Sequence, residues 1–234
     1  MNSLKNYSLV IPIYNEEDSI FPLFNEIKNS KAYDLINKIV FVDDASIDKS
    51  NEQINKLIKN YKNKVISLKH TKNLGQSYCI KTAVDYLQER FIITIDGDMQ
   101  NDPKDILRLI KIIESNSISL VGGIRKNRND SFSKILASKF SNKVRKLILK
   151  DDCDDTGCSL KIFKREEFNL FPFFNGIHRF LPALYKGYGF KTMFIEVNHR
   201  SRTKGKSKYN NLNRLFWTIK DLHRVYKHLK TKKK

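Results

Sequence analysis

Cysteine is scarce in this 234-residue chain: Cys79, Cys153 and Cys158 form an odd, sparse set. That excludes a disulfide-framed module and points to a reducing compartment, the cytoplasm. The stretch CDDTGC has no second Cys or His pair at ligand spacing, so it is not a zinc pattern. Proline and glycine are also few, and no segment is rich in Pro, Gly or Ser, so one continuous domain is expected. Long apolar runs are missing: nothing approaches the ~18–20 residues needed to span a bilayer. The opening MNSLKNYSLVIPIYNEE lacks the basic region and apolar core of a signal peptide. A protein that is soluble or lies on a membrane surface is therefore expected. Neither G-x-G-x-x-G nor G-x-x-x-x-G-K-[ST] occurs, which disfavours a standard dinucleotide fold and a P-loop. Acids are outnumbered, 25 Asp and Glu against 44 Lys and Arg, leaving a formal charge of +19. The imbalance suits an anionic partner such as nucleic acid, an acidic membrane or a phosphorylated substrate. Codon bias toward Lys, Asn and Ile would leave the same excess.

What is present is regular. Hydrophobic residues make up 40% of the chain, enough to bury a core. YSLVIPI, KIVFV, KVISL, FIITI and SISLVGG read as strands covered on both faces. Between them run helical stripes: Ile20, Leu23, Phe24 and Ile27; Ile54, Leu57, Ile58 and Tyr61; Ile80, Ala83, Val84 and Leu87; Ile106, Leu109, Ile110 and Ile113. Pro22 is tolerated only if the first helix begins near Asp18 or Ser19. Such alternation predicts an α/β fold with a mainly parallel central sheet flanked by helices, and ligands at the carboxyl ends of its strands. The residues at those ends are Tyr14-Asn15-Glu16, Asp43-Asp44 and Asp96-Gly97-Asp98.

The second half is organised differently. SFSKILASKFSNKVRKLILK reads as a helix with Phe132, Ile135, Leu136, Phe140, Val144, Leu147 and Ile148 inside and Lys and Arg outside. CSLKIF reads as a strand, IHRFLPALYKGYG as one helix ending in glycine, and KTMFIEVNH as a strand. The terminal NRLFWTIKDLHRVYKHLKTKKK reads as a basic amphipathic helix with Leu212, Leu215, Phe216, Ile219, Leu222 and Tyr226 on one side.

Three constellations carry chemistry. In DGDMQ, Asp96 and Asp98 leave a strand end one residue apart and point the same way, so both can address one Mg²⁺ or Mn²⁺. Gly97 allows close backbone approach; a solvated acidic turn is the simpler alternative. In FVDDASID, Asp44 can accept from a base or ribose, while Ser46 or Asp48 can equally cap the next helix. In VIPIYNEE, Tyr14 can stack on a base and Glu16 can bond to it, or both are ordinary loop residues.

VIPIYNEE, VDDASID, DGDMQNDP, DTGCSLKIFKRE and HRSRTKGKSKYN, in this order and spacing from Leu9 to about Asn210, resemble family 2 glycosyltransferases of the GT-A fold. The branch most resembled is the dolichol-phosphate mannose synthase-like enzymes. The resemblance implies a GT-A domain over residues 1–210, with a nucleotide-binding half (1–124) and an acceptor half (125–210). Residues 211–234 would form the basic helix and tail, with no transmembrane segment. It further implies that Pro12, Tyr14, Glu16, Val42, Asp44, Asp96 and Gly97 line the nucleotide sugar. Asp96, Asp98 and Gln100 would hold Mg²⁺ or Mn²⁺, with Gly97 where alanine is more usual. Arg125, Arg202 and Lys208 would contact the donor phosphates, with Gly205 as the hinge of a basic lid. Asp155 would stand near the acceptor, as general base for an alcohol acceptor. Asp98, Asp155 and Arg125 would be the catalytic set.

The expected activity is inverting transfer of a sugar from a UDP- or GDP-sugar to a polyprenyl phosphate. The protein would work peripherally on the cytoplasmic face of a membrane, with or without a separate membrane subunit. DTGCS departs from the D-P-x-S-G-F form of mannose synthases, so sugar and acceptor stay open, a saccharide acceptor included. A nucleic-acid module lacks any helix-turn-helix, RNA-recognition or zinc signature.

Overall fold

The structure, a computed structural model, describes residues 6–115, 117–126, 142–201 and 211–232; for residues 211–218 it describes the backbone. Seven strands, β1 (Tyr7–Ile13), β2 (Ile36–Asp43), β3 (Val65–Lys69), β4 (Phe91–Thr94), β5 (Leu120–Arg125), β6 (Lys161–Lys164) and β7 (Thr192–Val197), form one sheet. Their order is β3-β2-β1-β4-β6-β5-β7. β6 runs antiparallel to β4 and β5, and every other pairing is parallel. The ends of β1, β2, β4 and β5 therefore share one rim with the start of β6.

Helices α1 (Ile20–Lys28), α2 (Ser50–Tyr61), α3 (Gln76–Tyr86) and α4 (Ile106–Ser115) follow the first four strands. Strand alternation splits the core into two layers. Leu9, Ile11, Ile13, Ile39 and Phe41 pack with α1, α2 and α4. Val10, Val40 and Val42 face the other way, with α3 and the elements of the second half. The α1 stripe of Ile20, Leu23, Phe24 and Ile27 is wholly buried, each side chain contributing about 1.5–3 kcal/mol. Pro22 sits in the first turn, where a missing N–H costs nothing.

Beyond β5, residues 142–149 are helical (α5), followed by α6 (Arg165–Phe168), α7 (Leu181–Gly187) and α8 (Asn211–Lys232). Three expectations need correction here. IHRFLPALYKGYG is not one helix: a 3-10 turn, Ile177–Arg179, breaks at Phe180, and α7 starts with Pro182 in its first turn. Proline cannot donate the N–H that a continuous helix would need there. In α5, Arg145 is buried while Leu147 is 80% exposed, because Arg145 is anchored by Asp151, Asn142, Thr156 and the Cys153 carbonyl. In α8, Ile219 and Tyr226 are exposed, and Asp221, Val225 and Leu229 are buried instead. Arg179 and Arg224 face Asp221 there, while Leu222 packs on the core as expected. Phe132, Ile135, Leu136 and Phe140 lie outside the described residues, as do the side chains of Leu212, Leu215 and Phe216.

Candidate active site

The loops after β1 and β2 are laced together by side chains bonding to backbone. Ser46 Oγ accepts from the Asn15 N–H, Ser50 Oγ from Glu16 and Asp48 Oδ2 from Glu17, at 2.9–3.2 Å. In return, Asn15 Oδ1 accepts from the Ile47 N–H and Glu17 Oε2 from Lys49. Ser46 thus braces the neighbouring loop, while Asp48 also accepts the Ser50 N–H at the start of α2. Asn15, Ala45 and Met99, one in each of the loops after β1, β2 and β4, have left-handed φ of 53°, 60° and 63°. Non-glycine residues persist in that region only when their surroundings hold them, and such strain collects at functional sites.

Asp44, after β2, is the hub of a hydrogen-bonded cluster. Oδ1 accepts from His70 Nδ1 at 2.7 Å and the Leu74 N–H at 2.9 Å, and Oδ2 from the Gly75 N–H at 2.7 Å. His70 Nε2 meets Thr82 Oγ1 at 2.9 Å. Asp44, His70 and Cys79 bring oxygen, nitrogen and sulfur ligand atoms within 4.8 Å of one another. Burial pushes the Cys79 thiol far above its ordinary pKa, which opposes the thiolate a metal needs. The side chain of Val42 is in the core, so only its main chain faces a ligand. Pro12, Tyr14 and Glu16 are half-buried at the end of β1.

Asp96, Asp98 and Gln100 follow β4. Gly97 lies so close to β1 that a Cβ would stand 2.5 Å from Ile13 Cδ1 and 3.2 Å from the Pro12 carbonyl. Asp96 keeps some solvent access; protein crowding its carboxyl, and then the charge of Asp98, raise its pKa to about 6. The Ser159 hydroxyl beside it, Lys161 and Arg125 pull the other way. Gln76 Nε2 donates to Asp96 Oδ1 at 2.7 Å. Two hard carboxylates that repel each other are a donor set that a divalent cation relieves, so these residues fit Mg²⁺ or Mn²⁺. The amide nitrogen of Gln100 donates to the Arg200 carbonyl, and the Arg200 N–H to the Gln100 carbonyl. Asn101 pairs with His199. The acidic loop is thereby stitched to the root of the basic segment, while Arg200 itself is held by Glu26 and Asp102.

Arg125, at the end of β5, grips Asp155 in a fork: Nε to Oδ2 at 2.7 Å, Nη2 to Oδ1 at 2.8 Å, plus the backbone N–H to Oδ2 at 3.2 Å. Gly157 leaves room for this pair, since a Cβ there would meet Arg125 Nη2 at 2.9 Å. His178 meets Ser77 Oγ at 2.6 Å. Arg202, Gly205 and Lys208 lie outside the described residues. His70, Gln76, Ser159 and Arg200 also belong to this rim; Ser159 and Arg200 lie inside DTGCSLKIFKRE and HRSRTKGKSKYN, and the sequence cue near His70 and Gln76 is a glycine, Gly75, between a strand and a helix.

A mainly parallel sheet with acids gathered at its carboxyl rim is the GT-A type of nucleotide-sugar fold, and solved structures of that fold match it. Glucosyl-3-phosphoglycerate synthase from Mycobacterium tuberculosis aligns with a TM-score of 0.67 over 96% of this chain and 79% of its own, at 14% identity. A mannosyltransferase from Pyrobaculum calidifontis, in complex with GDP-Man and Mn²⁺, aligns at 0.62 over 86% of this chain and 58% of its own, at 17% identity. Residues 8–171 match the glycosyl transferase family 2 profile, and the chain belongs to that family. It is 33% identical over 219 residues to dodecaprenyl-phosphate galacturonate synthase of Rhizobium johnstonii, covering 92% of this chain. It is 34% identical over 209 residues, 88% of the chain, to undecaprenyl-phosphate 4-deoxy-4-formamido-L-arabinose transferase of Photorhabdus laumondii. The chain spans 64% of the length of each of these two relatives.

Proposed function

We propose that the protein is an inverting, metal-dependent glycosyltransferase moving a sugar from a UDP- or GDP-sugar to a polyprenyl phosphate at the cytoplasmic face of a membrane. The observation that carries the reading is the placing of Asp44, a hydrogen-bonded acceptor, and the Asp96–Asp98 pair on one rim. That arrangement would serve a nucleoside at one end and a diphosphate at the other. Cleaving the sugar–phosphate bond builds negative charge on the leaving nucleoside diphosphate while the anomeric carbon becomes cationic. Mg²⁺ or Mn²⁺ held by Asp96, Asp98 and Gln100 would supply charge neutralisation there. Arg125 and Lys161 place cations beside Asp96, and Arg202 and Lys208 are assigned to the phosphates by family resemblance. Electrostatic stabilisation of this kind acts where the charge develops.

The state of Asp155 supports a phosphate acceptor. Both its oxygens already accept from Arg125, so it is poorly placed to take a proton from an alcohol. A phosphate acceptor arrives anionic and needs none removed. The names of the two relatives, both polyprenyl-phosphate enzymes, support this choice over a saccharide acceptor. Calorimetric titration with UDP and GDP, each with and without Mn²⁺, should show metal-dependent binding of one of them. Incubation with labelled nucleotide sugars and a lipid extract should then move label into organic solvent. Label that stays aqueous, or appears on a saccharide, would overturn the lipid acceptor.

Among the described residues no helix is long and apolar enough to cross a membrane. Surface attachment is supported by the apolar residues that α5 and α8 leave outside, Leu147, Ile219 and Tyr226, among Lys143, Lys150, Lys220, Lys227 and Lys230. Apolar residues rimmed by lysine suit an anionic bilayer. Vesicles containing phosphatidylglycerol should sediment the protein and phosphatidylcholine vesicles should not. Ile219→Asp should weaken that binding by about ten-fold without changing Tm. Unchanged binding would transfer the anchoring role to a separate membrane subunit.

A further inference from the structure

We propose that Gln76 is a positioning residue for Asp96, and that the segment Leu74–Gln76 couples the nucleoside end of the donor site to its metal end. The inference rests on the donor site proposed above. Three consecutive residues reach two acids on different loops. The N–H groups of Leu74 and Gly75 both go to Asp44, at 2.9 and 2.7 Å. The Gln76 side chain goes the other way, donating to Asp96 Oδ1 at 2.7 Å. Gly75 makes the divergence possible with φ 93° and ψ 165°, a backbone state that L side chains rarely adopt. Crowding is not the reason for glycine, since a Cβ there would meet only Asn175, at 3.6 Å.

The base of Gln76 is held firmly. It opens α3, and the next residue, Ser77, is fully buried with its hydroxyl bonded to the Gly176 N–H and His178. On the far side, the Asp96 N–H donates to Ser159 Oγ, which in turn donates to Asn101 Oδ1. Asp96 is thus held from both sides, by its main chain and by its carboxyl. The chemistry of the holding group matters. A neutral amide orients one carboxylate oxygen without bringing a positive charge that would replace the cation. Partners behind a metal-binding carboxylate set its orientation and typically change metal affinity 10–100-fold. Because one short segment is bonded to both acids, a shift of either carboxylate moves the donors of the other. Metal and nucleoside should therefore each tighten the binding of the other by the same factor.

The test uses the full chain, with Mn²⁺ alone and with uridine and guanosine, which carry no phosphate. Mn²⁺ binding is read from loss of the free-ion paramagnetic resonance signal, nucleoside binding by calorimetry, and folding by Tm. Gln76→Met, similar in size but without a donor, should weaken Mn²⁺ by about ten-fold or more. Nucleoside affinity without metal should stay within about two-fold, and the mutual tightening should vanish. Gln76→Lys keeps a donor to Asp96 but adds a charge; it should weaken Mn²⁺ further, by about 100-fold. It also serves as the second variant if Gln76→Met does not fold. Mn²⁺ affinity unchanged in both variants overturns the proposal. So does a parallel loss of Mn²⁺ affinity, nucleoside affinity and Tm, the mark of a merely structural residue. If the unaltered protein binds neither Mn²⁺ nor UDP or GDP, the donor-site reading itself falls, and this inference with it.

Discussion

Asp96→Asn should abolish sugar transfer, by on the order of 10³-fold, and at the same time make the metal-free protein more stable at pH 7.5. The two effects have one cause. Crowding by protein and the Asp98 charge raise the Asp96 pKa to about 6, against ~3.9 for an unfolded aspartate. The folded state therefore holds its proton more tightly than the unfolded state. Below pH ~4 the carboxyl is neutral in both states and costs nothing. Between ~4 and ~6 the cost of ionising it in the fold grows, and above 6 it is fully present. After allowing for its partial solvent access, that cost is roughly 2 kcal/mol. Asparagine removes it, so Tm of the metal-free variant should exceed that of the parent by about 4–8 °C at pH 7.5. The difference should shrink as pH falls toward 4. Saturating Mn²⁺ should reverse the order, because only the parent gains stability from binding. A Tm for Asp96→Asn at or below the parent's in metal-free buffer at pH 7.5 would refute the account.

The same residue shows what the sequence can reveal. Asp96 and Asp98 were legible because acids at the end of an apolar strand stand out against their surroundings, and Asp44 for the same reason. The strands β1 to β5 and the helices α1 to α4 were legible because period-2 and period-3.6 patterns alternate and every predicted helical stripe has a buried core. Gln76, His70 and Ser159 were not legible. They reach partners 20, 26 and 63 residues away; Ser159 lies inside DTGCSLKIFKRE, but nothing local tells which loop it reaches. The antiparallel direction of β6 was hidden likewise, since CSLKIF reads as a strand whichever way it runs. In α5 and α8 the apolar pattern misplaced single residues: Leu147, Ile219 and Tyr226 are outside while Arg145 and Asp221 are inside, each facing a buried ion-pair partner, and Leu222 packs on the core as the pattern says. A hydrophobic pattern records what can be buried; a charged network decides single positions when it supplies more.

The fork between Arg125 and Asp155 allows the other large effect to be separated into roles. If Asp155 works by holding Arg125 toward the donor phosphates, Asp155→Asn and Arg125→Gln remove one function by two routes. Each single variant should lose about 10²–10³ in kcat/KM, and the double variant should be no worse than either. Stability should behave the same way. A single change strands one member of a well-buried pair, side chains 16% and 6% exposed, at a cost of about 3 kcal/mol. The double variant should cost less than the sum by about 1–3 kcal/mol. A general base predicts another pattern: Asp155→Asn would lower kcat further in the Arg125→Gln background and remove the acid limb of the pH–rate profile. A limb that depends on Asp155 belongs to an alcohol acceptor, because a phosphate needs no base and its own second ionisation, near pH ~6, leaves a limb that survives Asp155→Asn. The cycle therefore reports on the acceptor as well as on the residue. Additive losses together with a vanished acid limb would make Asp155 the base and return a saccharide to the acceptor site.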